Sequence, residues 1–160
     1  MNKWLRDLLL TCPYFDDLKA IGVDMLSKDS NTASIEKTPI KSLIKDKLDG
    51  NKLKQSAFII RANFPHSNEL ENNIKNSDFY DNFEDWIDEL NEIKKFPFYT
   101  EDKEVYEIEI TTCGYLVNIN PNLRQACYKI QLIVKYEKKD LKNPFKDFFL
   151  MKEGKKNGKS

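Results

Sequence analysis

Two segments in the second half of the chain alternate between apolar and polar side chains, and this alternation limits the possible folds more than any other feature. Residues 106–110 are apolar at every second position with glutamates between them, and residues 128–136 repeat the pattern with mainly lysine and glutamine between. Successive side chains of a strand point to opposite faces of a sheet, so each segment predicts a strand with one apolar and one polar face. Such strands need helices on one face only.

The preceding segment, residues 77–95, has the spacing of a helix. Ser77 or Asp78 is a suitable N-cap, and Phe96-Pro97 ends the run. The pattern predicts a long helix with one apolar face. Its apolar side chains recur every three or four positions, at Phe79, Phe83, Trp86, Ile87, Leu90 and Ile93.

The first half of the chain predicts shorter elements. Residues 2–11 have the apolar stripe of a short helix, and residues 32–37 predict a strand. Residues 40–48 alternate as a strand does but fit a helix as well. Asp49-Gly50-Asn51 is typical of a tight turn between antiparallel strands, the second of which passes through residues 58–61.

Together these elements predict an α+β fold. An antiparallel sheet of four to five strands, joined by hairpins, is expected to pack against a short N-terminal helix and a long central helix. Residues 113–122, between the last two strands, predict a bulge or a strand extension before the turn. We expect one domain over residues 1–137 and a basic, aromatic extension over residues 138–160.

Composition excludes several classes of protein. Apolar residues make up 40% of the 160 residues, which is typical of a folded domain and not of a disordered chain. Cys12, Cys113 and Cys127 lie far apart, so neither a disulfide framework nor a zinc site is expected. No apolar run reaches the length of a signal peptide or a membrane span, so the sequence predicts synthesis in the cytoplasm.

The sequence contains few candidates for catalytic or nucleotide-binding residues. The five glycines form no phosphate-binding loop, and His66, the single histidine, has no recognisable serine or cysteine nucleophile. We therefore expect a protein that is not an enzyme and has no cofactor.

Charge is balanced overall but unevenly distributed. Residues 69–109 carry fourteen acids and four lysines, whereas residues 110–160 carry eleven basic residues and four acids. The acids of the long helix fall mainly on its polar face, at Asp81, Asp85, Asp88 and Glu92. A second grouping of helix acids allows three interpretations, which are a solvated helix face, a metal site and a surface for a protein partner. It consists of Asp81, Glu84, Asp85, Asp88 and Glu89.

The basic residues of the last strand allow two interpretations. Lys129 and Lys135 could bind nucleic acid together with Tyr115, Tyr128 and Arg124. Alternatively, the tyrosines face the core and the lysines form cross-strand ion pairs with Glu107 and Glu109, which is the interpretation that we favour.

The C-terminal extension concentrates apolar residues beside lysines. It either folds back on the domain as a last helix or docks onto another subunit. The candidate docking residues are Phe145, Phe148, Phe149 and Lys152.

Several segments of the sequence resemble tail-terminator or minor capsid proteins, which join heads to tails, of phages of low-GC Gram-positive bacteria. The resemblance covers residues 2–137. It rests on Trp4-Leu5-Arg6-Asp7-Leu8-Leu9, Cys12-Pro13-Tyr14, residues 21–26, Leu48-Asp49-Gly50, residues 54–60, Phe83-Glu84-Asp85-Trp86-Ile87, Cys113-Gly114-Tyr115 and Ala126-Cys127-Tyr128-Lys129-Ile130.

The resemblance implies a structural subunit that assembles into a hexameric ring. The ring would cap the tail tube, end its polymerisation and offer a joining surface, in a phage or in a tail-like bacteriocin. The implied partners are copies of itself, the tail-tube subunit and sheath or head-joining proteins, with no membrane and no direct nucleic-acid contact beyond genome passage. Assembly would take place in the host cytoplasm. The alternatives are another neck or tail-completion subunit and a small module that binds single-stranded nucleic acid.

Opposite charges on two sides of a protomer suit head-to-tail contacts that close a ring. We therefore expect the acidic helix face to meet basic residues of a neighbouring copy. The candidate interface residues are Asp81, Asp85, Asp88, Glu92, Arg61, Arg124 and Lys135.

Overall fold

The computed structural model of the protein describes residues 1–15, 18–67, 70–94, 96–97 and 99–142. Within these residues the chain forms two α-helices and six strands, and a short 3₁₀ turn follows the first helix. The elements are α1 (Asn2–Leu9), β1 (Ala20–Val23), β2 (Thr32–Thr38), β3 (Leu43–Asp46), β4 (Lys52–Pro65), α2 (Leu70–Ile93), β5 (Lys103–Asn120) and β6 (Gln125–Lys138).

The six strands form one sheet. Its order is β1-β2-β4-β6-β5, and β3 pairs with the first residues of β4 beside β2. The α+β class and the antiparallel pairing of β2 to β6 agree with the prediction, but β1 runs parallel to β2, so the sheet is mixed. Strand β1 was not predicted, because only Ile21 of its four residues is buried and apolar and polar side chains therefore do not alternate along it.

Both helices pack on the same face of the sheet and share one core with it. The predicted stripe of α1 is buried, as are the inward-facing residues of the central strands, and each fully buried large side chain contributes roughly 1.5–3 kcal/mol. The largest fully buried side chains are Leu5, Leu8, Leu9, Ile35, Phe58, Phe83, Ile87, Ile108, Ile130, Leu132 and Val134.

The connection between β1 and β2 crosses the other face of the sheet. Parallel neighbours need such a crossover. Asn63 Nδ2 donates to the Ser27 carbonyl at 2.9 Å, and Gln125 Nε2 donates to the Lys28 carbonyl at 2.7 Å. This loop therefore covers one end of the face that carries no helix.

The turn before β4 is the one that the sequence predicts. Gly50 has a φ of 85°, its N–H donates to the Lys47 carbonyl at 3.1 Å, and the Asn51 N–H donates to Asp49 Oδ1 at 2.9 Å. β3 and β4 on either side are antiparallel, so Leu43–Asp46, in the middle of residues 40–48, is a strand and not a helix.

Helix α2 begins at Leu70, seven residues before the predicted N-cap at Ser77. Its first turns were not predicted, because Leu70 and Ile74 are exposed and form no apolar face. Asn76 holds this end to the sheet, since its Nδ2 donates to the Pro65 carbonyl at 3.1 Å.

The same helix crosses the sheet diagonally. Near its C-terminal end Asn91 exchanges two hydrogen bonds with the backbone of Ile108 in β5, at 2.8 and 2.9 Å. Near its N-terminal end Asn76 contacts the end of β4 instead. Among the described residues, the last third of β5 therefore has no helix over it.

β5 is longer than the predicted strand and shifts register against β6 at four places, so the predicted strand extension and bulge are confirmed. One shift lies between Thr112 and Tyr115. It contains Gly114, where an added Cβ would overlap the ring of Tyr80 on α2. The glycine is therefore required for the helix to approach β5.

β6 ends at Lys138, and the next two residues are still bonded to the domain. The Lys139 N–H donates to the Asp102 carbonyl at 2.7 Å, and the Asp140 N–H donates to Asn51 Oδ1 at 2.9 Å. Residues 143–160, with Phe145, Phe148, Phe149 and Lys152, lie outside the described residues. No helix in the described part of the chain is long and apolar enough to cross a membrane.

We expect Gly114→Ala to lower the free energy of unfolding by about 1–3 kcal/mol, because the methyl group overlaps a buried ring. Urea unfolding measures the change, with Thr111→Ala on an exposed position of β5 as control. Tyr80→Phe should be neutral or stabilising, since the Tyr80 hydroxyl is buried without a hydrogen-bond partner in the described structure. A Gly114→Ala protein as stable as the control would contradict this account of the contact.

Candidate assembly surface

The outer face of α2 carries a line of carboxylates. Asp81, Asp85, Asp88 and Glu92, here called the acidic stripe, are all exposed, while Phe83 and Ile87 on the inner face are buried. None of the four forms an ion pair with another described residue.

The acidic stripe destabilises the isolated helix. Its members are three or four residues apart, and like charges at that spacing cost about 0.2–0.5 kcal/mol per pair. No three His, Cys, Asp or Glu side chains in the described part of the chain are grouped so that they could hold a metal ion. A positively charged surface of another molecule would relieve the repulsion.

Two of the three basic candidates already have partners within the chain. Arg61 Nε lies 2.8 Å from Glu36 Oε1. Lys135 Nζ lies 2.7 Å from Glu109 Oε2 and 3.2 Å from Glu107 Oε1. The predicted cross-strand ion pairs are therefore confirmed for Lys135.

These ion pairs change the titration of Lys135. The hydrogen bond to Glu109 contributes most to a pKa above the ordinary lysine value, and Glu107 adds to it against the opposing effect of burial. Because the folded-state pKa is raised, this stabilisation is complete below the ordinary lysine pKa and is lost as the pH rises through the raised value.

Lys129 and Tyr115 do not follow the favoured interpretation. Lys129 lies opposite Arg61 in β4 and opposite Tyr115 in β5, so it pairs with neither glutamate. Tyr128 packs against the core as expected, but Tyr115 is 41% exposed. The prediction that the tyrosines face the core is thus wrong for Tyr115.

Arg124 differs from the other basic candidates. It lies in the turn between β5 and β6, its side chain is exposed, and no described acidic residue pairs with it. Its φ is 49°, a left-handed conformation that costs a non-glycine residue roughly 1–2 kcal/mol. The Arg124 carbonyl accepts the His66 N–H at 2.8 Å, which ties the turn to the end of β4.

The structure does not bring the acidic and basic candidates together within one chain. The acidic stripe lies on the helix layer, Arg61 and Lys135 lie on the opposite face of the sheet, and Arg124 lies at the β5–β6 turn. The residue-level assignment of these seven side chains to a ring interface stays a prediction.

The same turn and the strands beside it expose several apolar side chains that were not predicted from the sequence. We call residues 113–128 the distal hairpin. Five of its large side chains are each between 40% and 49% exposed: Tyr115, Leu116, Val117, Ile119 and Leu123. A signal was available, because residues 110–134 include Arg124 and Lys129 but no acid.

Comparison of the sequence with models of protein families and with curated proteins finds no match.

We expect Lys135→Gln and Arg124→Gly to change stability in opposite directions. Lys135→Gln should lower the free energy of unfolding by about 0.5–1 kcal/mol at pH 7, and the loss should shrink above the raised lysine pKa.

Arg124→Gly should raise the free energy of unfolding by up to about 1 kcal/mol, because glycine adopts a positive φ without strain. Urea unfolding at pH 7 and at a pH above the raised lysine pKa measures these free energies, with exposed Lys45→Gln as the control. A lower free energy of unfolding for Arg124→Gly would refute the strain at this turn.

Proposed function

We propose that this protein is a structural subunit of a phage tail or of a phage-tail-like particle. It assembles into a hexameric ring that caps the tail tube, ends the polymerisation of the tube and provides the surface for joining. The ring number and the tube partner come from the resemblance of residues 2–137 to tail-terminator proteins. No catalytic step is part of this proposal.

One observation supports the proposal more than any other. Each protomer has an exposed acidic stripe on its helix layer and an exposed arginine with an apolar surface at the β5–β6 turn. A protomer with complementary patches in different places makes head-to-tail contacts, and such contacts close into rings when the rotation between copies allows it. Among the described residues of one protomer, these patches have no ion-pair partner.

Several residues that carry the resemblance also have a structural role in the fold. Gly50 forms the turn before β4, Phe83 and Ile87 face the core from α2, and Gly114 accommodates Tyr80. Another neck or tail-completion subunit would share these features and would bind partners on the head side.

The test combines the protein with the tail-tube subunit of the same particle. Mass photometry and negative-stain imaging should show sixfold rings bound to tube ends, and tubes polymerised in the presence of the protein should be shorter. A protein that stays monomeric and does not bind tubes would overturn the proposal.

A second candidate is a module that binds single-stranded nucleic acid. Exposed Tyr115 beside Lys129 is the observation that favours it, since a base could stack on the ring while the lysine contacts a phosphate. This candidate would be favoured if the protein formed no rings and bound an oligonucleotide in a salt-dependent manner. Tyr115→Ala should then abolish the binding.

We expect Asp85→Lys with Asp88→Lys to stabilise the monomer and to prevent ring formation. Removing like charges from α2 should raise the free energy of unfolding by about 0.5–1 kcal/mol, whereas the neighbouring copy would meet the wrong charge. Thermal unfolding measures the first effect and mass photometry the second. The double variant Lys41→Glu and Lys45→Glu, at exposed positions on and before β3, is the matched control. Rings that persist unchanged in Asp85→Lys with Asp88→Lys would refute the role of these carboxylates.

A further inference from the structure

We propose that the distal hairpin is the surface by which this protein docks onto a second copy of itself, with the acidic stripe of that copy as its receiving surface. The inference rests on the proposed function, since it names the contact between neighbouring subunits of the ring.

The first reason is the free edge of the sheet. β5 is the last strand in the order, and no described strand pairs with its outer side. Its distal part contains the apolar run Tyr115, Leu116 and Val117. Glutamates along the first part of β5 discourage pairing there, whereas the distal part has no charge, and an apolar edge segment is prone to unwanted pairing in a monomer.

The second reason is the position of the apolar side chains. Leu116 pairs with Tyr128 and Ile119 pairs with Ala126, so both lie on the face of the sheet that carries the helices. Because α2 crosses toward β4 at this end, both side chains stay almost half exposed. On the face that carries the helices, the hairpin thus presents two apolar side chains that the described part of its own chain leaves partly exposed, whereas Tyr115 lies on the opposite face, paired with Lys129.

The third reason is charge, which identifies the occupant. Arg124 in the distal hairpin and Lys129 directly after it are the charged residues between positions 110 and 134, and both are basic. Helix α2 carries eight acids against Lys75. A second copy therefore supplies the opposite charge that this hairpin needs, and complementary charges also select the correct partner.

The apolar parts can match as well. The exposed face of α2 that carries the acidic stripe continues at helical spacing to Ile74 and Leu70, which are exposed at the first turns. A hairpin lying along this face could place its basic turn on the carboxylates or its apolar residues on Ile74.

The backbone at Arg124 is consistent with a contact of this kind. The strained positive φ would be relieved by glycine or asparagine, which are the usual residues at such turns. An arginine kept in a strained conformation indicates a role for its side chain, and here that side chain is exposed with no described acidic partner.

Pairing of strand edges between copies is a weaker alternative. The opposite edges of the sheet, β1 and β3, have four residues each, so they could match only a small part of the eighteen residues of β5. The outer face of α2, a helix of 24 residues, offers a longer contact than either of these edges.

A charge swap tests the contact. Arg124→Glu should weaken ring assembly on tube ends by about tenfold or more, because it removes an attraction and adds a repulsion. Combining Arg124→Glu with Asp85→Lys should restore assembly to within a few-fold of wild type. Lys45→Glu, the same charge reversal on exposed β3, should leave assembly unchanged. Mass photometry with the tail-tube subunit gives the ring yield for each protein.

The outcomes separate this inference from the proposed function. Rings of wild type and Arg124→Glu in equal yield, or no rescue by the swap, would overturn the hairpin contact and leave the ring intact. A wild-type protein that never assembles on tubes would overturn both. Since Arg124→Gly is expected to fold at least as well as wild type, loss of its rings would support the contact without a folding defect.

Discussion

Fourteen residue pairs join β4 to β6 without a register shift, and the rest of the structure depends on this ladder. Because Phe58 lies opposite Leu132 and Ile60 opposite Ile130, both strands turn the same alternate residues toward the helices. A slip of one residue would exchange the two faces and expose the core. The ladder also determines that Arg61 and Lys135 lie on the face without helices and that β5 remains at the edge.

The isolated protomer retains three unfavourable features around this well-packed centre. Like charges follow one another along the acidic stripe, Arg124 occupies a left-handed conformation, and the distal hairpin exposes apolar side chains on an edge strand. Each costs little against the stability of a domain of this size. A head-to-tail contact between copies would relieve the repulsion and cover exposed apolar side chains, and would bring a carboxylate to Arg124, which pairs with no acid among the described residues. Features that destabilise a monomer in this way are expected of a protein that functions as an assembly.

The sequence predicted those parts of the fold in which buried apolar residues recur at the regular spacing of a helix or a strand. The stripe from Phe79 to Leu90 and the alternation in β6 were predictable because most of their apolar residues face one core, whereas Ile93, which was predicted to continue the stripe, is 59% exposed. The first turns of α2 and strand β1 were not predictable, since Leu70 and Ile74 are exposed and Ile21 is the one buried residue of β1. The acidic stripe followed from helical spacing. The partner of Arg61 could not be predicted, because the register between strands decides which side chains meet. Residues 115–124 of the distal hairpin are all exposed, so they have no buried face that a sequence pattern could indicate.

The most direct test of the central claim is electron cryomicroscopy of the protein bound to the ends of tail tubes. We expect a closed ring in which the β5–β6 turn of each subunit lies on helix α2 of the next, with Arg124 within hydrogen-bonding distance of a carboxylate of the acidic stripe. A ring in which the distal hairpin and the acidic stripe both face solvent would contradict the contact between copies. Tubes without any density for the protein at their ends would contradict the assembly itself.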